Sequence, residues 1–374
     1  HRDLHSFPTR RSSDLEAPSE RTRRTIAWEL TDPAVRTTVH EDRWCPRCRR
    51  TIRPPTPGVL GGMMLENSAL ATVAGLHHLQ GFTLGHISRI TGINKSTLGE
   101  AMHRLAGILE PTVPGLLGDL RGAAALFGDE TVWRIDGAGG YAWIMRSLDT
   151  VAYTFRPTRS GTVAAELLGE EPLPGVLETD RYGGYNSLPV RRQFCYAHLL
   201  RNLQDLGKEF PGEPEVLAFV GQLGDQLRAA MSLRRREPDL DRYRREAALI
   251  RQRIEQITGA DARHPAVQGF QAIFRQNSDK LYHWVEDPSV PAENNTAERS
   301  LRPTVIARKI SFGSQSLRGA GTRETLMTVL GTLSLRTADP VAVLRHALDT
   351  MATQPDRAPD VRSILFDEPA PLAG

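Results

Sequence analysis

Residues 123–130, AAALFGDE, begin the succession of apolar runs that sets the fold class. This short apolar run ends in two acids, and two β-rich runs follow it, YAWIMRSLD (141–149) and VAYTFRP (151–157), parted at Asp149 and Thr150. TVAAELLG (162–169) is apolar at helical spacing, PGVLETDRYGGYN (174–186) is a further apolar run ending in Asp180, and RRQFCYAHLLRNLQDL (191–206) reads as a fifth strand running into a helix. Short apolar runs bounded by turn residues, with one helical period among them, predict three strands, a helix and two more strands, which is the α/β class. On this reading one carboxylate, Asp129, stands at the end of the first strand and another, Asp180, at the end of the fourth.

Toward the C-terminus, residues 205–290 are mostly helical, with EVLAFVGQLGDQLRAAM (215–231) and RYRREAALIRQRIEQI (242–257), and predict an all-α insertion. The basic run Arg234–Arg236 within it reads as a solvated helix face. Residues 291–352 return to the core: PAENN (291–295) opens a helix, AERSLR, that carries Glu298 and is expected to stop at Pro303, and residues 323–351 form one or two closing helices. Residues 353–374, rich in Pro and Asp, read as a loosely held tail.

Toward the N-terminus, residues 119–204 hold the first part of the core and residues 63–118 are helical. Ser68–Gln80 is apolar at helical spacing, and Leu84–Leu105 reads helix, turn, helix, with Gly92–Asn94 as the turn. If this is a DNA-binding helix-turn-helix, its second helix enters a major groove and Lys95, Ser96 and Thr97 lie at the helix start. A plain helical hairpin with those residues as turn and cap fits the pattern equally. A Pro/Gly linker, PPTPGVLGG (54–62), precedes it. Residues 22–53 hold the extended-looking TIAWEL and VRTTVH and then Cys45-x-x-Cys48 among basic neighbours, which resembles one knuckle of a zinc ribbon. Zinc in such a site needs four ligands, usually two such pairs, so a single pair predicts a partial ribbon that holds zinc poorly. Residues 1–15, HRDLHSFPTRRSSDL, lack any apolar period and resemble translated sequencing-adaptor read-through, so residues 1–21 are expected to be artefact or disordered and are set aside from fold reasoning.

Composition bounds the function. A chain of 374 residues predicts two or three domains, and 40% hydrophobic with 24% charged residues excludes disorder throughout. No run of 18 apolar residues and no signal-like start occurs, so the chain is expected in the cytosol with no membrane partner. Three cysteines argue against a disulfide framework. Of the 47 basic residues, 43 are Arg, which suits phosphate recognition and equally reflects Arg-rich codon usage. Residues 298–324 hold six basic residues against two acids, a local +4 beside Glu298 that exceeds the chain's +3 and points to DNA contact by Arg299, Arg302, Arg308 and Lys309.

Asp129, Asp180 and Glu298 therefore come from two strand ends and a helix. Three converging carboxylates can hold two magnesium ions, hard cations that prefer oxygen ligands. Two such ions about 3.5–4 Å apart would serve an in-line phosphodiester displacement. Strand-end acids that only cap or sit on the surface show the same spacing.

FGDET (127–131), TDRYGGYN (179–186), CYAHLLRNL (195–203) and ENNTAERSLRPTVIARKISFGS (293–314) together resemble transposases of the bacterial insertion sequence sixty-six family, of the DDE class, over residues 22–350. The resemblance implies an RNase H-like mixed-sheet core and a metal-dependent polynucleotidyl transferase that cleaves its element's ends and transfers the strand to target DNA. Carried over by position, the catalytic and metal-binding acids are Asp129, Asp180 and Glu298, with magnesium or manganese as cofactor and zinc in an intact ribbon. Glu130 and Glu293 then support or cap, and Glu130, one residue on along a strand, should face the other way. Cys195 and His198 form a C-x-x-H in which His198 either contacts the scissile phosphate or a metal-bound water, or is a packed core histidine. Tyr182, Tyr185 and Asn186 either stack on a flipped base or build the turn after Asp180. The implied partners are the terminal repeats, target DNA, further copies of the chain and accessory proteins of the element, with the chain associated with the nucleoid. Three other readings stay open: a metal nuclease without strand transfer, an inactive DNA-binding remnant or repressor, and a zinc hydrolase using Cys45, Cys48, Cys195 and His198, which the structural character of Cys-rich zinc sites disfavours.

Overall fold

The computed structural model describes residues 19–28, 33–52, 54–237, 239–353 and 360–367. The adaptor-like string at 1–15 and most of the expected tail lie outside the described residues. Contacts divide the chain into two compact units, His1–Thr112 with Arg336–Gly374, and Val113–Leu335.

The first unit opens with β1 (Ser19–Trp28), β2 (Pro33–Cys45) and β3 (Arg50–Ile52), an antiparallel sheet in that order. β1 thus begins inside the segment expected to be artefact. Then come α1 (Asn67–Ala74), prolonged by a π turn over Gly75–Leu79, α2 (Leu84–Thr91) and α3 (Lys95–Leu109). Local chemistry sets the bounds of α2 and the start of α3. The Thr83 side chain accepts the His86 N–H at 3.1 Å, Gly92 ends α2 with a left-handed φ of 68°, and the Asn94 side chain accepts the Ser96 N–H at 2.9 Å.

The second unit comprises α4 (Val113–Arg121), β4 (Ala125–Ile135), β5 (Ala138–Arg146), β6 (Val151–Arg156), α5 (Gly161–Leu168), β7 (Val176–Thr179), β8 (Arg191–Phe194), α6 (Tyr196–Glu209), α7 (Pro214–Arg236), α8 (Leu240–Gly259), α9 (Pro265–Gln276), α10 (His283–Glu286), α11 (Asn295–Ser311) and α12 (Leu317–Arg336). Its five-stranded mixed sheet has the order β6-β5-β4-β7-β8; β4, β5 and β6 run antiparallel, whereas β7 is parallel to β4 and β8 to β7. The strands are buried on both faces, and their two-residue period sorts side chains between two cores. Ala125, Phe127, Ile144, Tyr153 and Val176 pack toward Leu301 and Ala307 of α11 and Met327 of α12. Leu126, Trp143, Met145, Ala152 and Leu177 pack toward Leu120 of α4 and Val163 and Leu167 of α5. The expected all-α insertion has its own core, in which Leu223, Leu227, Ile250, Ile254 and Trp284 gather around Tyr196 and Leu199 of α6. The chain returns to the first unit as α13 (Pro340–Thr353) and α14 (Val361–Phe366).

Three expectations are corrected. Asp129 does not end its strand: β4 continues to Ile135 and turns into β5 at Asp136 (φ 51°) and Gly137 (φ 75°), a left-handed Asp-Gly hairpin turn. The helix bearing Glu298 does not stop at Pro303 but runs to Ser311. Proline there forfeits one helical hydrogen bond, and tertiary bonds hold the helix on both sides of it: the Tyr153 hydroxyl donates to the Ser300 carbonyl at 2.7 Å, and Arg308 donates to Thr131 Oγ1 at 3.0 Å and to the Val132 carbonyl at 3.1 Å. Lastly, the expected tail contains α14, whose Ile364 and Leu365 are buried.

Candidate active site

The parallel β4–β7 register pairs Ala125 with Val176 and Phe127 with Glu178, an offset of 51 that brings Asp129 level with Asp180 just past the end of β7. Adjacent strands lie about 4.8 Å apart, so the two acids are neighbours on one sheet face. Their side chains follow the parity of Phe127 and Val176, toward α11. The Asp180 carboxylate is fixed by its own turn, where Oδ1 accepts the Tyr182 N–H at 2.8 Å.

Glu298 arrives across the helical insertion because the segment before α11 is stitched to the sheet. The buried Asn294 side chain donates to the Gly128 carbonyl at 2.7 Å, immediately before Asp129. The Asn294 N–H donates to Cys195 Sγ at 3.1 Å, the Tyr196 N–H to the Ala292 carbonyl at 2.8 Å, and the Cys195 N–H to the Thr179 carbonyl at 2.9 Å. Glu298 lies one turn beyond Asn294, whose carbonyl accepts its N–H at 3.2 Å. A strand, a strand end and a helix start thus converge.

The electrostatics record that convergence. Burial above all, then the charge of Glu130, with Asp180 and Glu298 adding, pushes the Asp129 carboxyl up to about 7, although a hydrogen bond from the Glu130 N–H opposes this. Glu298 Oε1 lies 3.5 Å from an Arg201 guanidinium nitrogen and 3.9 Å from His198 Nε2. Burial and the nearby Arg201 lower the His198 pKa below its ordinary 6.5, outweighing the carboxylates, so the imidazole is neutral at pH 7. Its buried Nδ1 has no hydrogen-bond partner. Among the described residues, no three His, Cys, Asp or Glu side chains are gathered tightly enough to form a ready metal cage.

Neighbouring acids have other partners. Glu130 points to the opposite face with a side chain only 2% exposed, where Arg159 grips it at 2.6 and 2.9 Å and the Tyr185 hydroxyl donates to it. The Arg159 guanidinium lies 4.0 Å over the Tyr182 ring, whose hydroxyl bonds back to the Arg159 carbonyl. Asn186 accepts from Arg192, which also donates to Thr179 Oγ1 at 2.7 Å. The two tyrosines and the asparagine are therefore engaged in the turn after Asp180. Glu293 accepts from Asn295, with its carboxyl raised by burial.

The other candidate residues are distributed over both units. Arg299, Arg302 and Lys309 are exposed on α11, whereas Arg308 is committed to β4. In the first unit Lys95 and Ser96 are exposed at the start of α3 and Thr97 is half-buried. Cys45 and Cys48 face each other across the β2–β3 turn with their sulfurs 3.4 Å apart. That separation is close to the roughly 3.8 Å edge of a tetrahedron with zinc–sulfur bonds of about 2.3 Å.

Sequence reasoning missed four residues. Asn294 and Arg201 lay in quoted motifs; Arg201 is three residues from His198, on the same helix face. Arg192 ties the end of β7 to the turn. Glu178 shares the parity of Asp180, is fully buried with both carboxyl oxygens unpartnered, and burial followed by Glu293 raises its carboxyl well above the usual range. Below it, burial and then Glu178 push the Cys195 thiol up to about 12, so the C-x-x-H pairs a protonated thiol with a neutral imidazole.

Comparison with known proteins identifies the family. The model of the family described as "Transposase IS66 family" matches residues 62–322. Three uncharacterized proteins of Sinorhizobium fredii are similar over most of the chain: y4jD, 26% identical over 82% of this chain and 70% of its own length; y4qI, 24% over 70% and 54%; and y4hP, 23% over 85% and 65%. The chain thus spans about half to seven-tenths of the length of these relatives. No helix among the described residues is long and apolar enough to cross a membrane. The family model covers well over half of the chain, and the chain belongs to the Transposase IS66 family.

Proposed function

We propose that Val113–Leu335 is the RNase H-like core of a DDE transposase that cleaves the ends of its insertion sequence and joins them to target DNA. The observation carrying this reading is geometric: the β4–β7 register sets Asp129 level with Asp180, and the Asn294 bond to the Gly128 carbonyl brings the first turn of α11, with Glu298, beside them, near enough that Asp180 and Glu298 both add to the proton affinity of the buried Asp129. The sheet order supports it too, since three antiparallel strands are followed by two parallel ones beside the first. An all-oxygen donor set in which the charges of Asp180 and Glu298 add to the burial of Asp129 fits a hard divalent cation, so Asp129, Asp180 and Glu298 would hold magnesium or manganese. Bound there, the metal would activate the attacking oxygen and stabilise the leaving one.

The protein's own groups do the rest. Arg201 orients Glu298, and the neutral imidazole of His198, in the tautomer with Nε2 free and 3.9 Å from that carboxylate, takes up a proton at Nε2 as the attacking hydroxyl or water loses it. Exposed Arg299, Arg302 and Lys309 neutralise phosphates beside the acids, and Lys95, Ser96 and Thr97 at the start of α3 contact DNA in a helix-turn-helix mode. Cys45 and Cys48 supply half of a zinc ribbon whose remaining ligands come from elsewhere. Joining two DNA ends calls for at least two copies on DNA, with accessory proteins of the element, in the bacterial cytoplasm at the nucleoid.

The test is magnesium-dependent cleavage of a duplex carrying the element's end. Asp129→Ala, Asp180→Ala and Glu298→Ala are each expected to abolish cleavage while DNA binding persists through the arginines. Full cleavage by any one of them removes that residue from the site, and cleavage without joining of a 3′ hydroxyl to target DNA reduces the activity to that of a nuclease.

A further inference from the structure

Phe312 closes α11 in the left-handed conformation, at φ 62°, with 70% of its surface exposed. A bulky aromatic residue is a poor occupant of that region, which glycine enters freely, and such outliers persist where the surrounding structure fixes them. Here the next residue does so. Gly313 has φ 128°, and a Cβ on it would stand 2.2 Å from the Arg134 carbonyl. The Asp136 N–H donates to the Ser314 carbonyl and the Ser314 N–H to the Arg134 carbonyl, both at 2.9 Å. The ring is therefore held out to solvent by a rigid turn docked on β4.

Phe312 forms one wall of a cleft of about 420 Å³ that Val132, Arg134, Gly139, Tyr141 and Arg308 also line. Val132 is 55% exposed, and an added Cβ on Gly139 would meet nothing within 4 Å, so the cleft is open and its walls are largely apolar. Arg134 is exposed at its rim, and exposed Lys309 precedes Phe312 by three residues. Arg134 lies five residues beyond Asp129 on β4, about 17 Å at roughly 3.4 Å per residue, and like Val132 it has the parity of Glu130, on the other sheet face from Asp129.

We propose that this cleft takes an unpaired nucleobase of the DNA that the protein processes, stacked on Phe312, with Arg134 and Lys309 at the flanking phosphates. A flat aromatic face between cations matches the alternation of base and phosphate along a single strand. A second copy of the chain would present the same cations to one another, which disfavours self-association and favours a polyanion. The inference rests on the DNA-processing reading and adds to it a place and a chemistry for one base.

The test uses the full chain and fluorescence anisotropy with a labelled 20-nucleotide oligo(dT) and a fully paired 20-base-pair duplex, at two salt concentrations. Phe312→Gly, which relieves the left-handed strain, is expected to melt no lower than wild type yet to bind the single strand about tenfold more weakly, the loss expected for one stacked base. Phe312→Trp is expected to bind within about twofold of wild type, and duplex binding to change little in either variant. Wild-type single-strand affinity in Phe312→Gly overturns the proposal, as does an equal loss in both variants, which would give Phe312 a structural role. A wild-type dimer in sedimentation that Phe312→Gly dissociates, with DNA affinity unchanged, also overturns it and assigns the face to a second copy. If these fail while wild type still binds DNA with a salt-dependent affinity, only the stacking site falls; no salt-dependent binding by wild type defeats the DNA-processing reading itself.

Discussion

A carboxyl raised to about 7 by burial and by three neighbouring acids makes the fold pH-sensitive in an unusual direction. Below about pH 4 the acid is protonated in both folded and unfolded chains, and the site costs nothing. Between about pH 4 and 7 the folded protein holds a proton that the unfolded chain has lost, so stability falls as pH rises, and above 7 the penalty is fully present. A shift of 7 − 3.8 = 3.2 units, at 1.36 kcal/mol each, sets a ceiling of about 4 kcal/mol. Asp129→Asn removes the ionisation at nearly constant volume. In metal-free buffer at pH 8 it is expected to be more stable than wild type by up to about 4 kcal/mol, a Tm gain of at most about 8–16 °C for a unit of this size. At pH 5 only about 1.2 units of the shift have been expressed, and the gap shrinks below about 2 kcal/mol. Thermal melts by circular dichroism in EDTA from pH 5 to 8 measure this, and added magnesium should narrow the gap by stabilising wild type alone. A variant that melts at or below wild type at pH 8, or a gap that does not change with pH, refutes the reasoning.

Two further outcomes follow from the way α11 is attached. Asn294→Ala removes the buried bond to the Gly128 carbonyl and frees the start of α11; a loss of about 1–3 kcal/mol in urea unfolding is expected, with cleavage falling more than DNA affinity. Unchanged cleavage would show that Glu298 reaches the site without this tether. Pro303→Ala restores one helical hydrogen bond inside α11 and is expected to stabilise the protein by up to about 3 kcal/mol in the same assay, whereas destabilisation would mean that the Arg308 bonds to β4 depend on the proline.

Much of the second unit was legible because its signals are local. Apolar runs near 125, 141, 151, 176 and 191 correspond to the five strands of the sheet, and the helical spacing at 162–169 to α5. Period-two alternation was enough to send Asp129 and Glu130 to opposite faces, as the grip of Arg159 and Tyr185 on Glu130 bears out. In the first unit the turn Gly92–Asn94 marked the α2–α3 junction, where Gly92 ends α2 and Asn94 caps α3. The Asp136-Gly137 hairpin turn is an equally local signal, and it carries β4 past Asp129 to Ile135. The short apolar segment 364–366 inside a Pro-rich stretch was too brief to outweigh its surroundings.

Near-neighbour chemistry places most of the strands and helices and sends alternating side chains to opposite faces, because those properties depend on local periodicity and backbone sterics. Tertiary structure alone decided the rest. It paired β4 with β7 at an offset of 51, carried α11 through Pro303, and buried Glu178 without a partner. It also brought Glu298, which is 118 residues beyond Asp180, to the same sheet face through the bonds of Asn294 and Cys195. Such contacts gain free energy only once distant segments have paid their loop-closure entropy and found a shared core, and no window of neighbouring residues encodes that balance.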